Sequence, residues 1–257
     1  MAQPGGAHHI VRPSWLPGCY HTFPNANTDM PDPHWTIPVA RWSFWPAAAS
    51  VAPDIGFIEP MTRRRLSTLS RAALKVAHDC GASIPAVRLV FASRHGELHR
   101  TTDILRTIDS GKTVSPTSFS LSVLNTMTGV FGIVRGDRTA ASALSAGNET
   151  LGFALLEAYA QYATDASTPV LLVYADEPAD PAYGPVEDEV EGGALAILLD
   201  AAAQTGRLEC ARIADPVAAG PAFASQIHAV QHCLDARTSA EWRSKTAMWR
   251  WCWHEGA

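Results

Sequence analysis

Charge is scarce in this chain. Asp, Glu, Lys and Arg make up 18% of its 257 residues, and the net charge is -5. Nucleic-acid binders usually present a basic face that neutralises phosphates. Here the only short basic run is Arg63-Arg64-Arg65, which reads as a solvated first turn of a helix, so no nucleic-acid partner is expected. Cysteine is sparse too. Cys19, Cys80, Cys210, Cys233 and Cys252 are odd in number, widely scattered and form no CxxC pair, which argues against a disulfide framework and a zinc ribbon. No stretch reaches the roughly 18 apolar residues that span a bilayer, and MAQPGGAHHIVRPSW has no basic segment leading into an apolar run. No membrane span is expected, and the cytoplasm is the default compartment. Gly192-Gly193 lacks the spacing of a phosphate loop, and neither a GxSxG elbow nor an HExxH pair occurs.

What is present is a regular alternation of apolar segments. Residues 1–36 are rich in Pro, Gly, His and Asn without sustained periodicity, and read as an irregular extension. From 37 to 257 the chain reads as one domain with a C-terminal tail. Strands are expected over Ile37–Trp42, Ala86–Ala92, Thr139–Ser145, Val170–Ala175 and Ala194–Leu199. Helices are expected over Arg64–Cys80, where Leu66, Leu69, Ala73 and Ala77 share a face, and over Glu97–Ile108. Further helices are expected over Asn125–Val134, ended by Gly136, over Glu149–Tyr162 and within 220–233. Ser115-Pro116-Thr117 reads as a turn, and Thr139–Ser145, small and apolar, as a central strand. Interleaved strands and helices predict an α/β fold, a five-stranded mostly parallel sheet with helices on both faces.

The segment SPTSFSLSVLNTMTGVFGIVRGDRTAASALSAGNETLGFALLEA (Ser115–Ala158) resembles the part of β-ketoacyl synthases that runs from a Ser-Pro turn, through an Asn-x-x-x-Gly helix, to the nucleophile elbow. Ser115-Pro116, Asn125, Gly129 and Gly136 carry the match. VLLVYADEP (Val170–Pro178) and EGGALAILL (Glu191–Leu199) resemble the two strands after the elbow helix, and RRRLSTLSRAALKVA the first long helix. The resemblance implies a thiolase-like half, with too little chain for a complete second half. This short form is similar to the chain-length-factor-like subunits of aryl polyene and xanthomonadin-type pigment biosynthesis.

That resemblance carries a chemical expectation. Ketosynthases attack an acyl thioester with an elbow cysteine, activated in part by a helix N-terminus, and use two second-half histidines for decarboxylation and oxyanion stabilisation. Counting without gaps from Asn125 and Gly136, the nucleophile falls on Asn148, or on Gly147 with a one-residue shift. Neither can attack a thioester, and no cysteine lies within 60 residues of the elbow. Asn148 is then expected to cap the following helix or to mimic an occupied, inert elbow. The resemblance implies a noncatalytic subunit without cofactor, paired with a full-length β-ketoacyl synthase and reaching the acyl carrier protein through that complex. A homodimer is the alternative assembly, and a ketosynthase-fold acyltransferase with a non-cysteine active site the alternative function. In the family the strand here read as Thr139–Ser145 pairs across a two-fold, so Thr139, Ala141, Ala143 and Ser145 are the expected interface. Met127, Thr128 and Phe131 on the adjacent helix are expected to gate the acyl tunnel.

Three further patterns stand apart. His95 with His99, and His228 with His232, have the i, i+4 spacing of one helical face, but without additional ligands they predict no metal site. Trp249, Trp251 and Trp253 alternate strictly, which puts them on one side of a strand. Glu187, Asp188, Glu189 and Glu191 read as a solvated acidic loop.

Overall fold

The computed structural model describes residues 32–214, 222–245 and 247–256; most of the expected N-terminal extension, with Cys19, lies outside them. Two sheets form the frame. The first has the order β2 (Arg41–Trp45), β6 (Gly193–Leu199), β5 (Val170–Asp176), β3 (Arg88–Ala92), β4 (Ala141–Leu144). The second has the order β1 (His34–Val39), β7 (Gly206–Ala214), β9 (Ala247–Glu255), β8 (Ser239–Arg243), all antiparallel.

The five-stranded sheet and its helices on both faces are as the sequence predicts. Its pairing is evenly split, however: β3 runs parallel to β4 and β5, whereas β6 is antiparallel to β5 and β2. The cause is the connection between β5 and β6, which returns as a loop without the crossover helix that parallel neighbours need. The expected central strand is an edge: β4 has β3 on one side and no described strand on the other.

The apolar stretch at 37–42 also resolves differently. It is two strands in two sheets. Ala40 carries the chain between them, its N–H bonding Leu198 O at 2.9 Å. Pro38 lies in β1, an edge strand that among the described residues pairs only with β7, the position in a sheet where a missing N–H costs least. β1 starts at His34, inside the span read as irregular.

Helix α1 (Pro60–Arg63) is a single turn. Helices α2 (Thr68–Gly81) and α5 (Thr126–Arg135) cover one face of the first sheet, packing on Leu89, Phe91, Leu171, Val173 and Leu198. Helices α6 (Thr150–Thr164) and α7 (Gln226–Ala236) lie between the sheets. β5 and β6 are buried at every position, which is why they read from sequence as continuous apolar runs. The tryptophan alternation holds: Trp249 and Trp251 are fully buried in the layer between the sheets and Trp253 packs at its margin.

Of the remaining helices, α3 (Leu98–Asp109) is amphipathic, and α4 (Pro116–Ser120) turns the Ser-Pro pair into a short helix. There Ser115 is the N-cap and Pro116 fills the first helical position, whose missing N–H is harmless. Gly136 ends α5 with a φ of 65°, a left-handed cap that glycine adopts without penalty.

Candidate functional site at the elbow between β4 and α6

The elbow is assembled from the ends of three strands. Asp176, the last residue of β5, is buried and accepts from Ser93 Oγ (3.0 Å), Arg94 N (2.6 Å) and His95 N (3.1 Å). It thereby folds the turn after β3. Burial raises its carboxyl above the ordinary value, although these donors oppose the shift. Ser145, just past β4, donates to Arg94 O at 3.0 Å, which ties the elbow to that turn.

The chain then turns at Gly147, with φ at 61°, through one 3-10 turn (Gly147–Glu149) into α6. That extra turn displaces Asn148 from the capping role predicted for it. The residue preceding α6 is Glu149, and Thr150 satisfies the turn instead, its hydroxyl accepting from Ala146 N (2.9 Å) and donating to Gly147 O (2.7 Å). Asn148 Nδ2 donates to Asp188 Oδ2 at 2.8 Å. Its carbonyl accepts from Gln226 Nε2, while Gln226 Oε1 accepts from Gly152 N at 2.8 Å. Buried Gln226 therefore clamps the first turn of α6 from α7.

Glu149 is buried and fully engaged, accepting from Arg212 Nε (2.7 Å), Arg212 Nη2 (3.1 Å) and Trp249 Nε1 (2.7 Å). Arg212 and Trp249 lie 63 and 100 residues away along the chain, so no local pattern could have paired them. Beside Asn148, between Tyr174, Glu189, Gln226 and Trp242, the free volume is about 20 Å³, roughly the space one water needs.

The described cysteines are all elsewhere and all poor nucleophiles. Burial pushes Cys80 and Cys233 up to about 12 and raises Cys210 and Cys252 as well. Cys80 donates to Ala196 O, within the opposite core. His95 and His99 do not share a helix, whereas His228 and His232 share a face of α7, each with its own partner. His95 precedes α3 and bonds Glu189 Oε1 at 2.7 Å, whereas His99 bonds Pro178 O at 2.9 Å. On α7, His228 meets Ser225 (3.0 Å), and His232 packs on the Phe223 ring. Among the described residues no group of three or more His, Cys, Asp or Glu is placed to hold a metal ion. No helix among them is long and apolar enough to cross a membrane.

The expected interface and tunnel residues are partly brought together. Thr139, Ala141, Thr128 and Phe131 line one groove of about 410 Å³ with Ile133 and Arg138, within the range of ligand pockets. Met127 departs from expectation: it is 1% exposed and points into the core under α5. Thr139 lies in a bend before β4, held by Asp137, and Ser145 lies after it, so only Ala141 and Ala143 belong to the strand. Sequence reasoning passed over Asp137. Its carboxylate accepts from Thr139 N (2.9 Å), Thr139 Oγ1 (2.6 Å) and Val87 N (3.3 Å), setting the start of both β3 and β4.

Among curated proteins, none matches this sequence. Among solved structures, the fold is similar to a chain from the ketosynthase ApeO in complex with its chain length factor ApeC from Xenorhabdus doucetiae. The TM-score is 0.70 and the identity 23%, over 85% of this chain and 99% of that one. It is also similar to a chain of AntDE:AntF, a type II polyketide acyl-carrier protein in complex with its ketosynthase bound to the hexaketide. There the TM-score is 0.53 and the identity 10%, over 70% of this chain and 69% of that one. The family described as beta-ketoacyl synthase, N-terminal domain, matches residues 39–252. With a match over that much of its length, and with the strand–elbow–helix arrangement in place, this chain belongs to the β-ketoacyl synthase N-terminal domain family.

Proposed function

We propose that this chain is a noncatalytic ketosynthase-like subunit, a chain-length factor that pairs with an active β-ketoacyl synthase in aryl polyene-type biosynthesis and shapes its acyl tunnel. The observation that carries this reading is the elbow at Gly147 and Asn148, the two positions that counting offers for the family's thiolate, neither of which can supply one. The Asn148 amide is already committed to Asp188, and the space beside it, about 20 Å³, is too small for an acyl chain. The similarity to the ApeO–ApeC complex supports the role, because the matched chain is itself short: 85% of this chain spans nearly all of it.

The pairing surface in this reading is the free edge of β4. In a parallel pair alternate residues bond the neighbour; Ala140 O and Leu144 O accept from β3 at Leu89 and from Ser93. The peptide groups of Ala141 and Ala143 therefore face outward, an edge that no described strand pairs and of the kind that templates another strand. Ile133, 81% exposed, flanks that edge. Thr128 and Phe131 would then border the partner's acyl chamber, with Met127 supporting them from beneath. The test is co-expression with a candidate full-length ketosynthase. A stoichiometric complex that makes products of defined length is expected, and a chain that stays monomeric beside every such partner overturns the proposal.

A further inference from the structure

The acidic run at 187–191 is exposed at Glu187, Asp188 and Glu191, as a solvated loop would be, yet its side chains are also held from several directions. Between β5 and β6 the chain leaves the first sheet and returns across the start of α6, and its four carboxylates all find partners. Asp188 accepts from Asn148 Nδ2 (2.8 Å), Glu189 from His95 Nε2 (2.7 Å), Glu191 pairs with His228 Nδ1 (2.5 Å), and Glu187 pairs with Lys245. The Arg94 guanidinium bonds the Glu187 carbonyl at 2.8 Å and the Asp188 carbonyl as well. Anchors thus come from the β3–α3 turn, the elbow, α7 and the turn between β8 and β9. Asp188 has a φ of 47°, a left-handed conformation that Asp adopts more readily than most non-glycine residues. That conformation directs its side chain to Asn148 while its carbonyl meets Arg94.

We propose that Glu187–Glu191 is an autoinhibitory strap that closes the elbow at Asn148 and denies it to a thioester-bearing arm. The proposal rests on the functional reading above only for the identity of what is excluded; the closure itself stands on the contacts just given. In a subunit that does no chemistry, an open elbow would compete with the active partner for the same acyl thioester. A strap held by ion pairs and hydrogen bonds on both sides removes that competition without filling the elbow with a bulky side chain.

The test uses the full chain and a reporter thiol. Asn148→Cys removes one anchor and leaves the Arg94, His95, His228 and Lys245 contacts in place. The N-terminus of α6 would lower, and the Asp188 carboxylate raise, the pKa of a thiol there, so each labelling rate is divided by the thiolate fraction read from its own pH profile before it reports shielding. Iodoacetamide labelling, localised by peptide mass, should modify Cys at 148 at least about tenfold more slowly than Cys introduced by Ser110→Cys at an exposed position. Adding Arg94→Ala and Glu189→Ala should speed labelling at 148 at least about tenfold, with circular dichroism unchanged. Equal rates at the two positions, or no acceleration on release of the strap, overturn the proposal. Hydrogen exchange gives a readout without the reporter. In Arg94→Ala/Glu189→Ala the amides of 147–150 and of 187–191 should lose protection together, and loosening confined to 187–191 overturns it. Neither measurement involves a ketosynthase, so the outcome is separate from whether the chain pairs with one.

Discussion

Trp249 lies directly against the backbone of Gly152: a Cβ built on that glycine would stand 2.5 Å from Trp249 Cε2. This contact lets α6 settle onto the second sheet. The indole cannot yield, since it is fully buried, meets Trp35 and Phe153 edge-on with centroids at 6.0 and 5.3 Å, stacks on Trp251, and donates its N–H to Glu149. Gly152→Ala should therefore lower stability by about 1–3 kcal/mol through overpacking, although alanine is the better helix former by about 1 kcal/mol. Urea denaturation decides the matter, and an unchanged or raised midpoint would show that the indole moves.

A second prediction concerns Asp137 and pH. Burial alone would raise its carboxyl, but the Thr139 hydroxyl and amide, the Val87 amide and Arg135 outweigh that and hold it below its ordinary value of 3.8. The ionised form therefore stabilises the fold. Its contribution is complete above the unfolded value and is lost as pH falls through the lower folded value. Asp137→Asn should cost about 1–2 kcal/mol at pH 7, and the gap from wild type should close as the pH drops below 3.8. A gap that persists undiminished in acid would remove the charge from the explanation.

The third prediction follows from the elbow and the thiols. Incubated alone with acyl- or malonyl-charged carrier protein, the purified chain should show no added mass and no decarboxylation. At pH 8, iodoacetamide should leave Cys80, Cys210 and Cys233 unmodified until the chain is denatured, because burial keeps them protonated and unreachable. Intact-mass analysis reads both results. An acyl adduct at stoichiometric level on the elbow peptide would end the noncatalytic reading.

Much of the first sheet was legible in the sequence because fully buried strands are continuous apolar runs and amphipathic helices carry a 3.6-residue period. The family motifs added the location of the elbow. The second sheet was not legible as a sheet. β1 and β2 are separated by Ala40 alone, so 37–42 reads as one strand, and in β7 Arg212 falls on the same parity as Leu208 and Cys210 and breaks the alternation, so its strand character emerges only when β1 and β9 flank it. Direction was hidden for a related reason: a loop that returns antiparallel and one that crosses over read alike until the strands are paired. At the elbow, counting places the nucleophile position on Asn148 or, with a one-residue shift, on Gly147. The partner of Asn148, Asp188, was hidden in what reads as solvated charge, since the contacts of an acidic run depend on side chains brought from 94, 95, 228 and 245.

The last prediction tests the β4 edge without disturbing the subunit. Ala143 has an outward-facing N–H but a side chain packed against the core under α5, so a bulky or charged replacement would damage the fold and confound the result. Proline removes only the outward donor, and edge strands accept it where no partner bonds that side. Ala143→Pro should keep a thermal midpoint close to wild type while losing co-purification with a full-length ketosynthase. Ile133→Glu probes the same surface through a side chain. At 81% exposure its effect on the isolated chain should stay within about 0.5 kcal/mol, yet a carboxylate buried without a partner at an interface should abolish the complex. Thr128→Trp differs from both, since it would fill part of the groove that Thr128 lines with Phe131 and Ala141. The complex should survive and its product shorten, as read by mass spectrometry. If Ala143→Pro and Ile133→Glu both retain the partner at full stoichiometry, the pairing surface lies elsewhere and the groove has no acyl chain to measure.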